Sequence, residues 1–176
     1  TALKGNEAAF KSLTTQAQEL QKVTIFGDEE TMAAQSMLAS MGLEEEAIKR
    51  LTPLIQDMAT AKGMNLSAAA DLVAKSVGSS TNAISRYGIE VNGAVGSTER
   101  MDQAVQNITR LFGGAAQAEA QTFAGRIQQL RNRIGDIGER VGKVFIPIIE
   151  KLIDIFDGMS ESAQATTVVI TGLIPI

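Results

Sequence analysis

The stretch from Ile127 to Ile148, IQQLRNRIGDIGERVGKVFIPI, decides how the chain is read. Ile127, Ile134, Val141, Ile148 and, further on, Ile155 recur every seven residues, and Leu130, Ile137 and Val144 fill the interleaved positions. This 3-4 alternation sets the apolar residues along one edge of an α-helix, with the period of a coiled-coil seam. Lys151 interrupts it before Ile155. β-Branched Ile or Val fills seven of those eight positions. Ile at both kinds of core position shifts the preference from two strands toward three or four. The seam predicts a helix that associates with copies of itself, as a trimer, and these residues are the candidate functional site.

Around the seam the signals are mixed. Gly135, Gly138 and Gly142 lie off it and weaken the helix by about 1 kcal/mol each relative to Ala. A helix holding three glycines is supported on several sides or built to bend. The charges lean positive, with Arg126, Arg131, Arg133, Arg140 and Lys143 against Asp136 and Glu139, and they read as a solvated face. After Val144 the apolar residues spread around most of the helix as far as Phe156, more than one seam requires. That excess predicts a second surface to cover. Pro147 sits one position before Ile148, off the contact face, where it can kink the helix without removing a core contact.

Composition supports helices throughout. The chain has 176 residues and is 44% hydrophobic but only 4% aromatic, with no Trp and three prolines. Cores of Ala, Leu, Ile, Val and Met with few rings suit helix-on-helix packing, and so few prolines permit long helices. The expected class is all-α. Cys and His are both absent, which removes disulfides, Cys-ligated metal sites and the usual general base. The net charge of -4 is too mild to mark a nucleic-acid surface. Lys4, Glu7 and Lys11 interrupt any signal-peptide run at the start. The chain opens on Thr1 and stops within the apolar run Val168 to Ile176, so the expectation is an excerpt of a longer polypeptide.

Four segments are predicted. Residues 1–27 form an amphipathic N-terminal helix with Leu3, Phe10, Leu13, Ala17 and Leu20 on one stripe. Residues 28–97 form a compact module of short helices. Asp28 is its first N-cap, with Glu29 and Glu30 complementing the helix dipole. Helix ends are expected at Gly42, Gly63, Gly78 and Gly88. Ile48, Leu51, Ile55 and Met58 share one face, with a break at Thr52-Pro53 where proline would open a new helix. Ser67 caps the next helix, and residues 88–97 are a loop. Residues 98–158 form one long coiled-coil-like helix, possible kinks at Gly113-Gly114 included. Residues 159–176 begin an apolar segment.

No catalytic constellation emerges. Glu44, Glu45 and Glu46 are adjacent on a helix and point apart, and acids in a first turn have a structural reason to be there. Ser79 and Ser80 have no histidine to activate them. Gly93 to Gly96 lacks a phosphate-loop lysine and spacing, and no calcium-loop pattern occurs. The expectation is a protein that is not an enzyme and takes neither cofactor nor metal. The nine residues of the tail fall short of the roughly 20 that a membrane span needs.

Two stretches resemble the phage tail tape measure family, the long minor tail proteins inside the tube of long-tailed phages. One runs from Ile25-Phe26-Gly27 through LTPLIQDMATAKGMNLSAAADLVAKSVG (residues 51–78) to Arg86-Tyr87-Gly88-Ile89; the other runs from Gln121 to Ile155, with Gly142 and Pro147-Ile148 set in an amphipathic helix. The resemblance implies a virion protein that is largely helical and whose length sets tail length. It implies copies bundled in the lumen of the tail tube, contacts with the tail tube protein and the tail tip or baseplate, and chaperone-assisted assembly in the host cytoplasm. Release during DNA ejection, with apolar segments meeting the host membrane, belongs to the same expectation; contractile tail-like bacteriocins use the same kind of protein, so the resemblance covers either origin. Sequence-specific nucleic-acid binding does not. Some family members carry muralytic or peptidase domains; no such motif occurs here, and no activity is carried over. Two rival readings are a membrane-active protein inserting through residues 144–176 and a cellular helical scaffold or adaptor.

Overall fold

The computed structural model describes residues 7–157, except for the side chains of Phe145, Ile148, Ile149 and residues 152–157. Leu3 and the apolar tail fall outside them. The chain is all-α, and no strand occurs among the described residues. By internal contacts it divides into two units, one ending at Asn132 and the other beginning at Arg133.

The first unit is built around α3 (Glu45–Lys62). Ile48, Leu51, Ile55 and Met58 recur at helical spacing and are all fully buried, as the sequence predicted. Around α3 pack α1 (Glu7–Val23), α2 (Asp28–Ser40), α4 (Leu66–Gly78), α5 (Thr98–Phe112) and α6 (Ala115–Ala120). Before Gly88, one of the expected helix ends, stands a single 3₁₀ turn, Ser85–Tyr87.

Several local expectations are corrected. The buried stripe of α1 is Ala9, Leu13 and Ala17, whereas Phe10 is 57% exposed. Ala9 and Ala17, small residues on either side of Leu13, let α1 lie close to its neighbours, and the large ring is turned away. Gly27, not Asp28, is the N-cap of α2. Asn65, not Ser67, caps α4, its side chain accepting from Ala68 N at 2.8 Å.

The predicted break at Thr52-Pro53 does not occur, and α3 runs unbroken through Pro53. Proline removes the N–H that would bond the carbonyl four residues back, here that of Lys49. Gln16 on α1 replaces it, donating Nε2 to Lys49 O at 2.8 Å. Thr52 turns its hydroxyl back to Ile48 O at 2.7 Å and so caps nothing. Gln16→Ala is therefore expected to lower stability by about 1 kcal/mol. The check is the urea midpoint; an unchanged midpoint would show that the bond contributes nothing.

The tract after Thr98 is also revised. It is three helices, α5, α6 and α7 (Phe123–Asp157), not one. Gly113-Gly114 ends α5, and a second corner at Gln121-Thr122 ends α6. Both α5 and α6 pack on α3 and complete the compact unit, so the helix that carries the heptad pattern begins only at α7.

Buried polar groups fix this arrangement. Arg100 on α5 donates Nε to Ser76 O, Nη1 to Gly93 O and Nη2 to Ser79 O. Its charge thus meets carbonyls at the C-terminal end of α4, the negative end of that helix, and ties residues 79–97 to it. Asp57 on α3 accepts from Gly114 N and Ala116 N, both at 2.9 Å, capping α6 from a neighbouring helix.

Candidate functional site

In α7, 35 residues long, the heptad residues form an unburied stripe. Ile127, Leu130, Ile134, Ile137, Val141 and Val144 are all exposed, with Ile134 and Val144 each 60% exposed. Ile148 and Ile155 lie in the helix but outside the residues whose side chains are described. Exposed apolar residues scattered singly are ordinary, but a run of six at 3-4 spacing on one helix edge marks a contact surface.

The start of α7, within the first unit, shows why Ile127 and Leu130 are open. Thr122 supplies the N-cap: its Oγ1 accepts from Gly125 N at 3.0 Å. Gly125 is buried, and a Cβ there would overlap the carbonyl oxygen of Glu119, so only glycine lets the two segments approach at this corner. One turn on, Gln129 Nε2 donates to Thr24 O at 3.0 Å and to Lys22 O at 3.3 Å. Asn132 Nδ2 donates to Ile25 O at 3.2 Å. These carbonyls lie at and just beyond the C-terminal end of α1, where helix carbonyls lack intrahelical donors.

The first turns of α7 are therefore docked by their polar side. In an ordinary amphipathic surface helix the apolar face meets the core and the polar face meets water. Here Gln129 and Asn132 meet the compact unit while Ile127 and Leu130 face outward. Sequence reading identified the seam but not the residues that orient it. The available signal was the Thr122-x-x-Gly125 spacing together with two carboxamides three positions apart off the seam.

From Arg133 onward, in the second unit, α7 continues the same heptad register with Ile134, Ile137, Val141 and Val144 exposed. Glu139 and Lys143 pair across one turn at 3.6 Å, with both groups exposed. No helix among the described residues is long and apolar enough to cross a membrane.

The other surface features offer little chemistry. A shallow concavity lined in part by Lys11, Ser12, Gln16, Glu19 and Lys49 lies between α1 and α3. Lys49 pairs with Glu45 at 2.7 Å, and that bond, with one from Ser12, holds the Glu45 carboxyl below its usual range. Ser79 turns its hydroxyl to Lys75 O at 2.6 Å. No protein-family model, curated protein or solved structure matches the chain.

Proposed function

We propose that the chain is a non-catalytic structural segment of a phage tail tape measure protein, with α7 as the element through which copies assemble. The observation that carries the reading is the inverted docking of the first turns of α7: Gln129 and Asn132 are bonded to the compact unit while Ile127 and Leu130, which begin the exposed Ile/Val seam, are left open. A seam held outward by hydrogen bonds is suited to another helix, and its β-branched residues favour a trimer. The resemblance across residues 25–89 and 121–155 supplies the setting, the lumen of the tail tube. There the partners are the tube protein, the tip or baseplate and the assembly chaperones, with host membrane contact after release. The chain takes no cofactor in this role.

Two measurements test it. Sedimentation of the whole chain at roughly tens of micromolar, where helix bundles of this length are populated, is expected to give trimers or larger; a strict monomer would remove the self-association. In virions carrying the chain, deletion of the 35 residues of α7 is expected to shorten the tail by about 50 Å, at 1.5 Å of rise per residue. An unchanged tail length would overturn the tape measure role.

A further inference from the structure

The edges of the seam carry a pattern that the seam itself does not explain. With Ile127 and Ile134 at position a of the heptad, the flanking g positions are Arg126, Arg133, Arg140 and Pro147, and the e positions are Ala124, Arg131, Gly138 and Phe145. Between Arg126 and Pro147 every charge at the edge of the contact surface is an arginine; the next g position, beyond the break at Lys151, is Asp154. All four arginines are exposed, and none stands within ion-pair distance of a carboxylate among the described residues. The helix's own acids between them, Asp136 and Glu139, fall at c and f, away from the edge.

Copies of this helix answer those charges only in part. In a parallel bundle g faces e of the next heptad, which sets Arg126 against Arg131 and leaves Arg133 and Arg140 opposite Gly138 and Phe145. In an antiparallel pair g faces g and e faces e; registered about Arg140, Arg140 meets its own copy and Arg133 meets Pro147, while Arg126 meets Asp154. A parallel in-register bundle brings no carboxylate to an arginine, and this antiparallel one leaves Arg133 and Arg140 unanswered. Flanking charges are what set partner choice in such interfaces.

We infer that the seam of α7 takes a heterologous amphipathic helix whose own seam is flanked by Glu or Asp. The inference rests on the reading of the seam as a helix-contact surface and names a partner that it prefers to a further copy. Two other anionic occupants fit less well. A lipid surface would call for a broad apolar face, whereas between Ile127 and Val144 the apolar residues form a narrow a/d stripe beside Gln128, Gln129, Asp136 and Glu139. A nucleic acid would call for a basic face; here two acids interrupt it, on a chain of net charge -4.

The test titrates the whole chain with fluorescent synthetic peptides of about three heptads, Ile at a and Leu at d, with Glu or Lys at every e and g. Anisotropy is expected to show the Glu-flanked peptide binding about tenfold more tightly than the Lys-flanked one, from several exposed pairs of modest strength. That preference is expected to fade as salt screens it. In Arg133→Glu/Arg140→Glu it should weaken or reverse, with the melting curve of the chain unchanged. Equal binding of the two peptides, or a preference untouched by the double variant, would overturn the inference. So would a DNA duplex that competed with the Glu-flanked peptide at equal concentration. If the chain still forms trimers while the peptides bind alike, the partner assignment fails and the self-associating seam stands. If the Glu-flanked peptide binds but deleting α7 leaves tail length unchanged, the reverse holds.

Discussion

Asp57→Ala is expected to destabilise the compact unit by about 3 kcal/mol, lowering its melting temperature by on the order of 10 °C. Asp57 is buried on α3, and each of its carboxylate oxygens accepts one backbone N–H, from Gly114 and Ala116. The first N–H groups of a helix have no intrahelical partner, and α6 has only six residues. Without Asp57, the Gly114 and Ala116 donors lose their acceptor, and Ala116 N lies in the interior. Hydrogen bonds to a charged acceptor are among the stronger ones, and orphaning a buried donor adds its desolvation. Asp57→Asn separates this account from simple packing. It keeps the shape, but its Nδ2 turns a donor toward one of two backbone donors, so it should cost nearly as much as Ala. A neutral Asn variant would show that the carboxylate acts only as filler. Hydrogen exchange at Gly114 and Ala116 should quicken in both variants, because those amides report the cap directly.

How much of this was legible in advance follows from the range of each interaction. The face of α3 is written in local spacing, and Ile48, Leu51, Ile55 and Met58 are all fully buried as predicted. Gly63 likewise ends α3 at φ 61, where a side chain would be strained. The heptad of α7 is local too, and its residues sit together on one exposed edge. What sequence reading missed depends on residues far apart in the chain. Pro53 looks like a helix break until Gln16 supplies the absent donor from another helix. Residues 98–122 look like part of a long helix until Asp57 starts a new one at Ala115. Arg100 gave no sign that its guanidinium would be buried against carbonyls of Ser76, Ser79 and Gly93. In each case a polar side chain answers a backbone group dozens of residues away or on another element, and no periodicity records that.

The same distinction governs the candidate site. The seam's residues were readable, but the outward orientation of its first two, Ile127 and Leu130, depends on Gly125, Gln129 and Asn132, which carry no periodic signal. An amphipathic helix in isolation says only that one edge is apolar. Whether that edge closes a core or awaits a partner is decided by which side the rest of the chain bonds, and here it bonds the polar side.

Ile137→Asp is expected to abolish self-association while leaving the compact unit folded. Ile137 lies midway along the seam and is 59% exposed, so a carboxylate there meets water in the single chain and costs it little. In a trimer the same position would face its two copies, placing three carboxylates in an apolar core. Burying each without a partner costs about 2 kcal/mol or more, and the lost Ile contacts add to it. Over three chains that amounts to a weakening of at least about 10⁴-fold. Sedimentation should therefore show monomer where the parent is oligomeric, and the helical signal of α7 should fall as its support is lost. The thermal transition of the compact unit should hold within about 1 °C, since surface changes away from the core are usually within ±0.5 kcal/mol. Asp136→Ala is the matching control: it removes a charge from the neighbouring residue, off the seam, and should leave the oligomer intact. If Ile137→Asp remained oligomeric while Asp136→Ala did not, the contact surface would lie on the opposite side of the helix, and the outward seam would need another explanation.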